Sequence, residues 1–279
     1  MKTKAFVLTL AALFISSCSS NQLKDQTPDE KKAEVYYGQG TSELVNKNYG
    51  QALSYLTKAK ELNPKDSKIR NNLGMAYFFR DQVALAEKEL KESISLDKTN
   101  SDARLNLGSL YMSKERLKDA RAEFETVAND LTFQNQFRNY YNLAILSLKE
   151  GDRREAFEYL TKSLKEKEDY CPAHFKLGEL YSEEYRYKDA LASFKESGNG
   201  TCVNEPAPIY QQGITLLNMN KPSEAKKKFV EVQERFSATR FASMAGIQIK
   251  KINNINEQQS TRASQTEVIK TNSVETPNF

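Results

Sequence analysis

Few side chains in this 279-residue sequence are equipped for chemistry. There are three thiols, Cys18, Cys171 and Cys202, and a single imidazole, His174. Carboxylates number 37, but they are scattered. No acid, base and nucleophile converge in the pattern that catalysis requires. Neither a Gly-rich phosphate loop nor a metal-ligand spacing is present. His174 lies three residues from Cys171 with no further ligand set beside it, so zinc is not expected and the imidazole reads as structural. What remains is thiol chemistry: acylation of one cysteine and a cross-link between the other two. The expectation is a protein that is not an enzyme and has no cofactor, metal or small-molecule substrate.

The thiols have to be placed by the elements around them, and those elements repeat. Asn71-Asn72-Leu73-Gly74-Met75-Ala76-Tyr77 returns as Asn106-Leu107-Gly108-Ser109-Leu110-Tyr111 and as Lys176-Leu177-Gly178-Glu179-Leu180-Tyr181. Leu73 and Leu107 are 34 residues apart, and a small residue then a bulky apolar one follow each copy: Ala86 and Leu90, Ala120 and Phe124, Ala190 and Phe194. This is the tetratricopeptide repeat (TPR) pattern. Six units fit it, over 33–66, 67–100, 101–134, 137–170, 171–204 and 206–239. The first is atypical, as a terminal repeat can be, with Gln39 and Glu43 where the pattern asks for apolar residues. The predicted fold is all-α: a right-handed TPR solenoid of six helix-turn-helix repeats over 33–252, with 240–252 as a C-terminal capping helix. Residues 253–279, rich in Asn, Gln, Ser and Thr, read as a disordered tail.

The N-terminus reads as an address. Met1-Lys2-Thr3-Lys4 is basic, Ala5 to Ile15 is apolar, and small residues follow, as in a secretory signal peptide. The apolar run is too short to span a bilayer, which takes about 20 residues. Ile15-Ser16-Ser17-Cys18 resembles the bacterial lipobox, which implies a signal peptide over 1–17, cleavage before Cys18 and acyl chains on it. An ordinary signal peptide that happens to hold a cysteine is the alternative. Acyl chains, at about 0.8 kcal/mol per buried CH2, would give a durable anchor. Residues 18–32 read as the acylated cysteine and a flexible tether, whose fourteen residues from Ser19 to Lys32 reach about 50 Å when extended. Ser19 after the cysteine, rather than Asp, points to the periplasmic face of the outer membrane. The formal charge of +4 falls to about +2 once Lys2 and Lys4 are removed, 39 basic against 37 acidic residues. Nothing in that balance suggests a nucleic-acid partner.

Cys171 opens repeat 5 and Cys202 falls just past the second helix of the same repeat. Antiparallel helices bring those two ends together, and an oxidising compartment favours a disulfide. Two free buried thiols are the alternative reading.

The inner face of a TPR array is lined by the first helix of each repeat. At the groove-facing places stand Tyr37, Leu44, Val45, Asn71, Met75, Phe78, Phe79, Leu105, Met112, Tyr141 and Ile145. Part of this set serves packing between repeats; the remainder predicts an exposed apolar strip, suited to an amphipathic or extended polypeptide. Domains that clamp the acidic tails of chaperones carry Asn where Tyr37 and Thr41 stand, so that partner is not expected.

The arrangement from Cys18 to about Ile252 resembles the type IV pilus biogenesis and stability lipoproteins, the pilotins of the pilus secretin. The most specific stretch is Asp169-Tyr170-Cys171-Pro172-Ala173-His174-Phe175-Lys176-Leu177-Gly178, with Cys202 following. The resemblance implies an outer-membrane lipoprotein of six TPRs with a bridged cysteine pair, matched by Cys171 and Cys202. It implies a function in bringing the secretin to the outer membrane and promoting its multimerisation. By position, the secretin would meet Tyr37, Leu44, Met75, Phe78 and Phe79. An envelope adaptor that scaffolds cell-wall hydrolases, or another outer-membrane assembly system, is the alternative.

Overall fold

A computed structural model describes residues 26–272, with side chains through residue 258. Residues 1–25, which hold Cys18 and the expected signal peptide, and residues 273–279 lie outside the described residues. Thirteen α-helices and no strand occur among the described residues. Six antiparallel pairs follow one another: α1 (Pro28–Val45) with α2 (Tyr49–Leu62), α3 (Ser67–Phe79) with α4 (Val83–Leu96), α5 (Ser101–Ser113) with α6 (Leu117–Ala128), α7 (Gln136–Glu150) with α8 (Arg153–Glu166), α9 (Cys171–Glu183) with α10 (Tyr187–Glu196), and α11 (Pro206–Asn218) with α12 (Pro222–Arg235). A last helix, α13 (Arg240–Asn272), packs on α12. Each pair touches its own members and the next pair in line, the contact plan of a solenoid.

The pairs close because one residue per crossing is too small to obstruct it. A Cβ added to Gly40, Gly74, Gly108, Gly178 or Gly213 would lie 2.5 to 2.7 Å from Leu56, Leu90, Phe124, Phe194 or Phe229 respectively. Repeat 4 uses Ala144 against Leu160, both fully buried. Burying these side chains contributes about 1.5–3 kcal/mol apiece, the main driving force of each pair.

The turns inside the repeats are equally regular. Lys47, Asp81, Glu115, Tyr185 and Asn220 take φ of 55 to 62°, and Gly151 occupies the same place at 89°. Each residue after the left-handed one donates its N–H to a carbonyl five residues back, from Asn48 to Glu43 at 2.8 Å through Lys221 to Leu216 at 2.9 Å. These are Schellman closures, which satisfy the orphan carbonyls of the first helix. Only one of the six uses the glycine that the geometry favours.

Two boundaries differ from the sequence reading. The tether was expected to run to residue 32, but α1 begins at Pro28. Thr27 and Glu30 form a capping box, in which the Glu30 N–H donates to Thr27 Oγ1 at 3.2 Å and the Thr27 N–H donates to Glu30 Oε2 at 2.7 Å. At the other end, disorder was expected from residue 253, whereas α13 continues as helix to Asn272. No Pro or Gly interrupts 247–272, so nothing in the backbone chemistry forces a stop. No helix of the described residues is long and apolar enough to cross a membrane.

The loop after α10 is tied down on two sides. A disulfide joins Cys171, at the start of α9, to Cys202, with Cα atoms 6.3 Å apart. Arg235 on α12 donates to the Val203 carbonyl at 2.8 Å.

Candidate functional site

The first helices of repeats 1 to 4 bound a cavity of about 690 Å³ whose wall includes Tyr37, Thr41, Asn71, Asn72 and Asn106. Asparagines at the sixth place of repeats 2, 3 and 4 link one repeat to the one before. Asn72 Nδ2 donates to Thr41 Oγ1 at 2.8 Å, Asn106 Nδ2 to Asn71 Oδ1 at 2.9 Å, and Asn142 Nδ2 to Ser109 Oγ at 3.1 Å. Asn71 Nδ2 in turn donates to Asn72 Oδ1 at 3.1 Å, and Thr41 Oγ1 to the Tyr37 carbonyl at 2.8 Å. One chain of hydrogen bonds thus runs from α5 to α1. Such a network fixes the angle between neighbouring repeats, and Asn71, Asn72 and Asn106 stand in the wall of the hollow.

Charge enters at the rim. Asp97 and Asp130 each fold a loop by accepting from Thr99 and Thr132, the hydroxyls at 2.6 Å in both cases. Asp130 also accepts from Ser101 Oγ at 2.6 Å. That Ser101 bond, then those from Thr132, hold the Asp130 carboxyl below the usual carboxylate range, so it is ionised at neutral pH. Lys68 and Arg138, in the first turns of α3 and α7, line the same space. Burial raises the Tyr37 hydroxyl pKa, which keeps that phenol neutral.

The residues expected to line an apolar trough are divided by the structure. Leu105, 1% exposed, belongs to the core with Leu90, Leu110 and Phe124, and Asn71, 8% exposed, is consumed by the amide network. Neither offers surface to a partner. Leu44 packs against Ala52, Leu56 and Leu73; Phe78 and Met112 pack against the central core; and Tyr141 packs beside Tyr170 at 5.7 Å. Tyr37, Met75 and Ile145 are half-buried. Val45 and Phe79 are well exposed, at 77% and 48%. The remainder expected to form an exposed apolar strip is therefore reduced to separate apolar residues, beside a hollow whose wall is largely polar. The physical reason is that the twelfth places of repeats 1 to 3, Leu44, Phe78 and Met112, turn into the packed clusters and help close the stack. Sequence reasoning missed Asn72, Asn106 and Asn142, although an asparagine at one place of three successive repeats was the signal.

His174 donates its Nε2–H to the Glu168 carbonyl at 2.8 Å, bracing the loop before α9. No cluster of three or more His, Cys, Asp or Glu suited to a metal ion occurs among the described residues.

Residues 71–131 and 137–170 match the tetratricopeptide repeat family. Among curated proteins, the chain is 23% identical over 194 residues to the type IV pilus assembly protein PilF of Pseudomonas aeruginosa, covering 68% of this chain and 77% of that one. It is 21% identical to human DnaJ homolog subfamily C member 7, of which it spans 46%. Among solved structures, Pseudomonas aeruginosa PilF superposes with a TM-score of 0.65 at 17% identity, over 82% of this chain and 99% of that chain. The type IV pilus biogenesis factor PilW gives 0.65 at 18% identity, over 76% and 97%. Cut9, from the Cut9–Hcn1 complex of the APC/C, gives 0.67 at 16% identity, over 83% and 44%. At these identities the structural likeness speaks to the fold alone, an all-helical TPR solenoid.

Proposed function

We propose that this chain is a lipid-anchored TPR scaffold on the periplasmic face of the outer membrane, where it holds the type IV pilus secretin and promotes its localisation and multimerisation. The observation that carries the reading is the similarity to a type IV pilus assembly protein over 68% of the chain, an array-long match and not one repeat's worth. The thiol of Cys18, which follows an apolar run and Ser16-Ser17, supplies the anchor by acylation. The hollow of repeats 1 to 4 supplies the grip. Its amides meet the backbone of an extended segment, and Tyr37, Met75 and Ile145 meet apolar side chains of that segment. A secretin segment held in this way is kept from aggregating before it reaches its own membrane.

The test is genetic and direct. A strain lacking the gene is expected to accumulate monomeric secretin and to bear no pili, and a photo-crosslinking residue placed at Tyr37, in the wall of the hollow, is expected to capture secretin in living cells. Normal secretin multimers in the deletion strain would sink the proposal. Capture of cell-wall hydrolases in place of secretin would favour an adaptor of another envelope system.

A further inference from the structure

Along the turn edge of the solenoid, an acid in the left-handed place of one turn takes a cation from the repeat that follows. Asp81 accepts Lys114 at 3.3 Å, and Glu115 accepts Lys149 at 2.7 Å. Between repeats 4 and 5 the pair is reversed, with Arg153 on Glu183 at 2.6 Å. Between repeats 5 and 6 it is replaced by Tyr185 and Met219, which line one crevice. Between repeats 1 and 2 the pattern breaks. Lys47 stands where the acid belongs, and the residue closing α3 is Arg80. Neither has an acidic partner among the described residues.

Both cations border an open crevice of about 870 Å³, whose other walls include Glu43, Tyr49, Gly50 and Phe79. Tyr49 and Phe79 stack at 4.8 Å with planes 16° apart, and Phe79 stays 48% exposed. Val45, 77% exposed, is close by in sequence at the end of α1. Glu43 shares the crevice wall but pairs with neither cation; its carboxylate accepts from Asn48 Nδ2 at 2.7 Å instead. A Cβ on Gly50 would come within 3.2 Å of Arg80 Nη1, so the missing side chain lets the guanidinium lie along α2. Two exposed cations without an ion pair, set beside an exposed aromatic stack, offer a partner positive charge and apolar area in one place.

We infer that this crevice docks an acidic-aromatic segment of the protein partner: a carboxylate against Lys47 and Arg80, with a neighbouring ring on the Tyr49–Phe79 stack. The inference rests on the scaffold reading above and names the partner chemistry. A peptide is favoured over a lipid headgroup because the stack gives a second, apolar contact and the volume accommodates several side chains.

The experiment uses the full-length chain and a fluorescent octapeptide that alternates Asp and Phe, with an Asn-for-Asp peptide and phosphatidylglycerol vesicles as the other arms. The acidic peptide is expected to bind at least about tenfold more tightly than the Asn version, consistent with losing a charge-assisted contact. Arg80→Glu is expected to abolish that preference and to transfer it to a Lys-Phe peptide, with the helical circular dichroism unchanged. Equal binding of both peptides, an Arg80→Glu chain that behaves as wild type, or binding to vesicles alone would overturn the inference. Secretin capture separates the two proposals. Loss with Met75→Glu but not with Arg80→Glu leaves the scaffold reading standing and removes the crevice. Loss with neither removes both.

Discussion

The boundary between repeats 1 and 2 and the boundary between repeats 3 and 4 share one helix plan and handle charge in opposite ways. At the later boundary nothing is left over. Arg121 binds Glu155 through both terminal guanidinium nitrogens, at 3.1 and 2.8 Å, and also pairs with Glu150. Ser147 donates to Glu155 at 2.6 Å, and Lys149 reaches back to Glu115. At the earlier boundary the far edge is pinned in the same manner, with the buried Glu89 accepting Lys60 at 2.9 Å and Arg70 at 3.0 Å. Its turn edge is left open, with cations facing cations and aromatics in solvent. The difference teaches that the array does not need its turn edge paired in order to stack. Where pairing is absent, the surface is free to serve a partner.

The comparison can be broken most forcefully through the core that both boundaries share. Phe124→Ala removes a fully buried ring beside Gly108 and is expected to cost about 3–5 kcal/mol in urea unfolding followed by circular dichroism. Phe79→Ala, at the open edge, is expected to cost at most about 1 kcal/mol. Comparable losses from both would mean that the exposed stack is structural and that the contrast is false.

The disulfide gives a control outside both boundaries. Cys171→Ser with Cys202→Ser is expected to remove about 2–4 kcal/mol, concentrated in repeats 5 and 6, because a solenoid passes a defect mainly to its neighbours. Hydrogen exchange should then quicken in α9 to α11 and stay unchanged in α1 to α4.

Acid sharpens the contrast from the ionic side. The Arg121 hydrogen bonds hold the Glu155 carboxyl below its ordinary pKa, with Ser147 assisting. A carboxyl depressed by folding stabilises the folded state above its unfolded pKa of about 4.3, and that contribution drains away as pH falls from there through the folded value. Glu155→Gln is expected to cost about 1–2 kcal/mol at pH 7, a partly exposed pair being discounted for solvent screening. The gap between mutant and wild type should narrow in urea melts as the buffer is taken below pH 4. A gap that stays constant with pH would show that the carboxyl charge is not what binds the repeats.

The smallest expected effect lies in the turns. Lys47→Gly relieves a left-handed backbone with no ion pair to lose, and is expected to raise stability by up to about 1 kcal/mol. Glu115→Gly relieves the same strain but forfeits the contact with Lys149, so its gain should be smaller. Thermal melts of the two single variants read the difference.

Much of the fold was legible in single residues. Gly74, Gly108 and Gly178 stand out because the crossing tolerates no Cβ, and Phe124 and Phe194 because they fill the space so created. The start of α1 is legible as well, in Thr27-Pro28-Asp29-Glu30, although its polar composition also suits a tether. The site was less legible. Leu105 and Phe79 occupy neighbouring repeats as apolar residues of first helices, and the sequence gives both the same promise as groove surface. One is sealed in the core and the other is half in water, because the α3–α5 contact falls on one and the open turn edge on the other.

The amino-acid order alone settled the helix pairs, their number, their close crossings and the pairing geometry open to Cys171 and Cys202. Those follow from spacing, which acts along the chain and within one repeat. The hydrogen-bonded asparagines across α1, α3, α5 and α7, and the two cations left without an acid at the first turn edge, came only from the stacked array. Such features depend on which residue of one repeat faces which residue of the next, and a periodic sequence offers each residue several neighbours of nearly equal promise until packing chooses among them.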